Sequence, residues 1–263
     1  MVERKNDFRL WGKMTLNLEN KNVLIVGGSK GIGKQIAMDF LKSGSNVSII
    51  SRTEPDIKLL KQKKCNHYIC DVTDYEHYSK ISSEIINKFD GYIDVLIFAV
   101  GSGAGNRVIF SKIQKWNECW DLNFRTALYT ANLFENFFNK KTISSLTFIG
   151  SIAGIENIGA PDCYSVAKSS LVAFSKSLSK NLSPSVRVNI ISPGNIFIKN
   201  GTWDLIQKKN PHKVDEMIKN NVPLKRFGKA EDVSNLVLFI SSEKASFITG
   251  SNIIIDGGQT NFF

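Results

Sequence analysis

Six short apolar, β-branched runs punctuate the chain: NVLIV (22–26), NVSII (46–50), DVLIFAV (94–100), SLTFIG (145–150), VRVNIIS (186–192) and SNIIID (251–256). Most are nearly continuous in hydrophobic residues, the pattern of strands buried on both faces rather than wetted on one. Between them lie longer stretches whose apolar residues recur at helical spacing, among them EHYSKISSEIINKF (76–89) and CYSVAKSSLVAFSKSLSKNL (163–182). Strand and helix alternating along the chain predict an α/β fold, a single doubly wound parallel sheet with helices on both faces. No internal repeat and no Pro/Gly/Ser-rich linker interrupts the pattern, so one domain is expected.

Composition changes this picture little. The 263 residues are 42% hydrophobic and 22% charged, ordinary values for a globular chain. No apolar run reaches the roughly 18–20 residues that span a bilayer. The start, MVERKNDFRLWGK, is charged throughout and lacks the apolar centre of a secretory signal. A cytoplasmic protein with no membrane partner is expected. Cys65, Cys70, Cys119 and Cys163 form no CxxC pair and the three histidines are scattered, so neither a metal site nor a disulfide framework is predicted. The net charge of +10 admits nucleic acid or phosphorylated ligands. Its lysine clusters, however, are dispersed over 61–64, 139–141 and 207–209, which predicts a solvated basic surface and no nucleic-acid partner.

Candidate chemistry begins in VGGSKGIGK (26–34), where the first strand gives way to a helix. In a doubly wound sheet, ligands gather beyond the carboxyl ends of the strands. A helix N-terminus there offers free N–H groups and a positive dipole end to an anion. Gly27, Gly31 and Gly33 permit a tight turn, close approach of a pyrophosphate and packing of helix on strand. Further along, YSVAK sets Tyr164 and Lys168 four residues apart, on one helical face. A free tyrosine, with a pKa near ~10, exchanges protons poorly at neutral pH. A neighbouring ammonium is expected to lower that value, making Tyr164 a general acid toward a carbonyl or a base toward an alcohol.

The G-x-x-x-G-x-G turn is followed by Asp71-Val72 after the third strand, Asn123 in DLNF, Ser151 in GSIAG and the Tyr164/Lys168 pair. Pro193-Gly194 comes after the sixth strand, and FITGSNIIIDGG closes the series. In this order and spacing the chain resembles the short-chain dehydrogenase/reductase family over roughly residues 15–258. The resemblance implies a Rossmann-type fold and a nicotinamide-dependent interconversion of carbonyl and secondary alcohol on a small-molecule substrate. It implies a catalytic set of Asn123, Ser151, Tyr164 and Lys168. Tyr164 would exchange the proton and Ser151 polarise the reacting oxygen. Asn123 would hold a water that relays protons toward Lys168, which would also hold the nicotinamide ribose. Cofactor contacts are implied in the glycine turn at Gly27, Ser29, Lys30, Gly31, Ile32 and Gly33. Others fall at Ser51 and Arg52, at Asp71 and Val72, and at Ala99 and Gly101. The nicotinamide end would use Tyr164, Lys168, Pro193, Gly194 and the main chain of Ile196. The stretch IISRT carries no carboxylate at the end of the second strand, where one would bind a ribose 2′-hydroxyl. Arg52 and Lys30 instead suit a 2′-phosphate, so NADP(H) is the expected cofactor.

The sequence also departs from the family pattern. Val26 stands where Thr is usual, and Phe98-Ala99-Val100-Gly101 where Asn-Asn-Ala-Gly is usual. The two changes are expected to replace one polar contact between neighbouring strands by an apolar one. Ile198 takes the place of a Thr that contacts the nicotinamide carboxamide, with Asn200 or Thr202 as substitutes. Residues 1–13 form an extension before a cofactor-binding domain at 14–263, whose substrate loop spans about 195–222. That loop mixes Trp203 with Asn195, Lys199, Asn200 and Thr202, which predicts a small polar hydroxy or keto substrate, of the sugar or nucleotide-sugar type or another. The runs PGNI…GTWD and DGGQT also resemble reductases of bacterial surface-polysaccharide pathways. Two alternatives stand beside this reading: a 3-oxoacyl-thioester reductase and, from another class, a catalytically silent nucleotide-sensing or RNA-binding protein. The intact four-residue set argues against the silent protein. Apolar residues at 128–138 and 171–178 exceed what one sheet can cover, which, with the pairing habits of the family, predicts a homodimer or homotetramer.

Overall fold

Side-chain alternation along the strands decides which helices cover which face. The computed structural model describes residues 15–55, 61–103 and 112–261, so the expected extension at 1–13 lies outside the described residues. Seven parallel strands form one sheet: β1 (Asn22–Val26), β2 (Asn46–Ser51), β3 (Cys65–Ile69), β4 (Val95–Phe98), β5 (Ser144–Ile149), β6 (Val186–Pro193) and β7 (Asn252–Ile255). Their spatial order is β3-β2-β1-β4-β5-β6-β7. The described helices are α1 (Gly31–Lys42), α2 (Tyr75–Lys88), α3 (Ile113–Trp120), α4 (Thr126–Phe134), α5 (Asp162–Leu182), α6 (Thr202–Lys209), α7 (Pro211–Asn221) and α8 (Ala230–Ser241). Val23, Ile25, Val47, Ile49 and Ile97 point to one face, where Ile36 and Phe40 of α1 and Val233 and Val237 of α8 meet them. Leu24, Val26, Ile50, Leu96, Phe98 and Phe148 point to the other, against Tyr78 and Ile85 of α2, Phe134 of α4 and Leu171 of α5. Both faces are therefore dry, and five of the seven strands are buried along almost their whole length.

β3 does not follow that rule. CNHYI sits at the sheet edge, only half-buried, with Ile69 largely exposed, and its polar residues give no apolar run to read. The chain order reverses between β1 and β4, which lie side by side, and this switch point opens the crevice where doubly wound sheets bind ligands. Val26 and Phe98 face each other across it in register, both fully buried. The apolar replacement expected from the sequence is thus in place. Beyond β6, helices α6 and α7 pack on each other as a small lobe. No helix among the described residues is long and apolar enough to cross a membrane. Leu128 of α4, Val166 of α5 and Phe137 remain exposed on the helical layer that carries α4 and α5.

Candidate active site

The glycine turn is shaped by contacts that a side chain would destroy. Gly27 has φ +93°, and a Cβ on it would fall 2.9 Å from the carbonyl carbon and oxygen of Ala99. A Cβ on Gly33 would fall 2.1 Å from the Gly27 carbonyl oxygen, closer than any real contact. The turn thus lies against the end of β4 while α1 starts directly above it. Lys30 precedes α1 in an extended conformation, and no side chain caps the helix. Its first N–H groups stay available, a cradle that fits a pyrophosphate. Ile32 packs its side chain toward the sheet, leaving its main chain to the cradle.

At the far end of the crevice, beyond β2, the expected cationic rim is present but only loosely paired. Arg52 is 4.0 Å from the Asp71 carboxylate, with two-thirds of its side chain exposed. Asp71 also accepts from the Thr73 amide and hydroxyl at 3.0 and 2.8 Å, which fixes the turn after β3. Val72 beside it is buried. Ser51 turns its hydroxyl inward, to the Thr53 carbonyl at 2.9 Å and to His67 Nε2 at 2.9 Å. The hydroxyl that meets the glycine turn is instead that of Thr53, 3.2 Å from Ser29 Oγ. The sequence reading missed Thr53, although it follows Arg52 directly in the same IISRT stretch.

The four predicted catalytic residues converge between β5, α5 and the helical turn after α3. Residues Asp121–Arg125 form a single widened π-turn, a feature that clusters at functional sites. It presents Asn123, which is 1% exposed. Asn123 Oδ1 accepts from the Ser102 amide at 3.0 Å, and its Nδ2 donates to the Cys119 carbonyl at 2.9 Å. Gly101 is squeezed between Asn123 and Lys168, for a Cβ there would sit 2.8 Å from Asn123 Oδ1 and 2.9 Å from Lys168 Nζ. Lys168 Nζ donates to the Ile149 carbonyl at 3.0 Å and lies 5.8 Å from the centre of the Tyr164 ring. Ser151 leaves β5 with its hydroxyl accepting from the Ala153 amide at 3.1 Å and facing the Tyr164 phenol. A Cβ on Gly154 would be 2.6 Å from the Lys168 carbonyl carbon, so the short turn after Ser151 rests on the backbone of α5.

Burial governs the ionisations here. It pushes Lys168 down to about 8, with the Cys119 thiol opposing in part. It pushes Tyr164 up, against the Ser151 hydrogen bond and together with the Cys119 thiol. The lowering of Tyr164 expected from the nearby ammonium therefore does not occur: a site that charges poorly disfavours phenolate and ammonium alike. Tyr164 is held as the neutral phenol.

At the nicotinamide end, Pro193 closes β6 and Gly194 lies under Asp256, whose Cβ is 2.7 Å from where a Gly194 Cβ would be. A bridge to Gly228 uses the Asn195 carbonyl and the Phe197 amide, both at 2.9 Å. That pairing leaves out the N–H and C=O of Ile196, which suits the carboxamide contact expected there. Ile198 packs on the glycine turn, 3.6 Å from a Cβ at Gly31. Trp203 stacks on Phe227 at 5.6 Å, and Phe227 on Phe197 at 5.7 Å. Trp203 thus anchors the lobe to its own base.

Comparison with known proteins agrees with this fold. A family model described as enoyl-(acyl carrier protein) reductase matches residues 26–260. The chain is 31% identical over 248 residues to the 3-oxoacyl-acyl-carrier-protein reductase FabG of Buchnera aphidicola (subspecies Schizaphis graminum), covering 93% of this chain and 99% of that one. It is 28% identical to the NADP-dependent mannitol dehydrogenase of Alternaria alternata, covering 94% of each. The ligand-free aldohexose dehydrogenase of Thermoplasma acidophilum superposes with a TM-score of 0.82 at 26% identity, over 93% of this chain and 96% of that one.

Proposed function

Because the chain belongs to the short-chain dehydrogenase/reductase family, we propose that this oxidoreductase is NADP(H)-dependent and reduces a carbonyl to a secondary alcohol, with residues 14–263 acting as one domain. The observation that carries the reading is the meeting of Ser151, Tyr164, Lys168 and Asn123 at the mouth of a glycine-built anion cradle. The bound nicotinamide would supply the hydride, held by the free N–H groups of α1, the turn Gly27–Gly33, and Gly194 with the Ile196 main chain. Arg52 and Lys30, with no acid at the end of β2, support NADP(H) over NAD(H).

In this reading Tyr164 donates its phenolic proton to the carbonyl oxygen as negative charge develops there. Its raised pKa keeps that proton in place at neutral pH. Ser151 donates a second hydrogen bond to the same oxygen and stabilises its charge. Lys168, with a pKa of about 8, both holds and releases a proton near neutrality, which suits it to resupply Tyr164. Asn123, locked by Ser102 and Cys119, keeps its position beside Lys168 and is assigned the water on that relay.

Two substrate classes remain. The 3-oxoacyl thioester is supported by the reductase relative. A polyhydroxy carbonyl, including the surface-polysaccharide sugars, is supported by the aldohexose and mannitol dehydrogenases. The exposed apolar residues of α4 and α5 support a homodimer or homotetramer. Consumption of NADPH measured with acetoacetyl-coenzyme A and with a panel of ketoses tests the reading. Turnover of the thioester alone selects the first class and of ketoses alone the second; no turnover of either overturns the reductase assignment.

A further inference from the structure

The segment after β7 touches three separate walls of the crevice. Asp256 lies on Gly194, on the nicotinamide side. Its carboxylate gathers the Gly258 amide at 2.8 Å, the Thr260 amide at 2.7 Å and the Thr260 hydroxyl at 2.8 Å. Burial alone would raise the pKa of this carboxyl, yet these donors hold it below the usual value, so the anion closes a tight loop that turns the chain back. The Gly257 carbonyl accepts from the Leu224 amide at 3.1 Å, and Gly257 and Gly258 press on Val222 and Pro223, at the end of α7. Finally Asn261 donates its amide to Glu156 Oε2 at 2.7 Å and its side-chain Nδ2 to Oε1 at 3.4 Å. Glu156 belongs to the segment between Ser151 and Tyr164, 105 residues away in the chain.

We infer that Asp256–Asn261 is a strap that fixes the segment between Ser151 and Tyr164 against the α6–α7 lobe, with Glu156 as the positioning residue that sets substrate affinity. The inference rests on the proposed site, since its value to the enzyme depends on Ser151 and Tyr164 meeting substrate. The physical logic is a population argument. Without the Glu156 clasp, the loop holds its binding-competent position only part of the time, and apparent affinity falls by that fraction. The clasp touches none of the residues assigned to the cofactor cradle. The clasp is charge-assisted but exposed, so the loss is moderate.

Glu156→Ala and Asn261→Pro test this from both ends, because proline removes the donating N–H. Each is expected to raise the KM for acetoacetyl-coenzyme A or for a ketohexose about threefold to tenfold, with kcat and NADPH affinity within about twofold. Glu156→Gln keeps an acceptor and is expected to restore most of the affinity. The double variant is expected to be no worse than Glu156→Ala, as for two ends of one contact. Independently of turnover, hydrogen exchange in 152–161 should accelerate in both single variants while that of 22–26 is unchanged. Unchanged exchange in 152–161, or fully additive effects in the double variant, overturns the strap. If wild type turns over neither probe, the reductase reading fails and the exchange data alone decide the strap.

Discussion

The two ends of the crevice are built on opposite plans. The proposed catalytic end is buried: Asn123 and Lys168 are 1% and 2% exposed, and each is tied to main-chain atoms. The proposed phosphate end is open, with Arg52 two-thirds exposed and 4.0 Å from its only ion-pair partner among the described residues. Burial at the first end moves ionisations, since Lys168 falls to about 8 and Tyr164 rises. The second end relies on charge held at the surface, which salt screens and water competes for. The difference teaches where substitutions should be catastrophic and where they should only re-tune. A chemical step needs fixed geometry and a set proton, whereas cofactor choice needs only a favourable local field.

The sharpest break of this comparison is Tyr164→Phe. Removing the transferable proton from a centre that is otherwise intact is expected to lower kcat by about 10²–10⁴-fold, with NADPH affinity by titration calorimetry within about twofold. The pH profile of the wild type carries the same signature. Reduction uses the protonated phenol, the form favoured by the raised pKa, so reductive kcat/KM is expected to stay level from about pH 6 to 7 and to fall as pH rises through about 8, where Lys168 loses the proton it would pass to Tyr164. Alcohol oxidation uses the phenolate and is expected to climb with pH through that same range and beyond it. An oxidative rate independent of pH would remove Tyr164 from the role of base.

Much of this centre was legible in the sequence because its residue types are tied to fixed spacings. Tyr164 and Lys168 share a helix face by their four-residue separation, and the glycines mark a turn no other residue can make. The apolar pairing of Val26 with Phe98 was also legible, as two linked departures from one pattern. What the sequence hid depends on tertiary context. CNHYI gave no apolar run because its polar residues sit on a strand that is only half-buried. The π-turn that presents Asn123 has no local sequence signal. Trp203 reads in the sequence as a face for a sugar, and only the fold shows that Phe227, 24 positions on, packs against the same ring. Tyr164 was expected to acidify beside an ammonium, and the burial of both groups reversed the sign.

Gly154→Ala probes the wiring itself, at a residue without functional atoms. The added methyl would lie 2.6 Å from the Lys168 carbonyl carbon, against backbone that cannot rotate away. The turn carrying Ser151 must then lift off α5. Overpacking of this kind typically costs about 1–3 kcal/mol, expected as a lowered midpoint in denaturant unfolding. Because Ser151 moves relative to Tyr164, kcat is expected to fall about tenfold or more. Stability and activity that both stay at wild-type values would mean that the contact does not position Ser151.

The open end should respond more gently, and in graded fashion. Wild type is expected to bind NADPH at least about tenfold more tightly than NADH at low salt, a difference of roughly 1.4 kcal/mol. Arg52→Ala is expected to remove most of that preference by weakening NADPH alone, and added salt should shrink it in wild type. Thr53→Ala is the smallest test and the most discriminating. It deletes a neutral, exposed contact of 3.2 Å to Ser29, so both cofactors should weaken equally, by about twofold to fivefold. The reason is geometric: that hydroxyl pair joins the end of β2 to the glycine turn, a link needed whichever ribose is present. A loss confined to NADPH would instead place Thr53 on the 2′-phosphate itself and shift the source of selectivity away from Arg52.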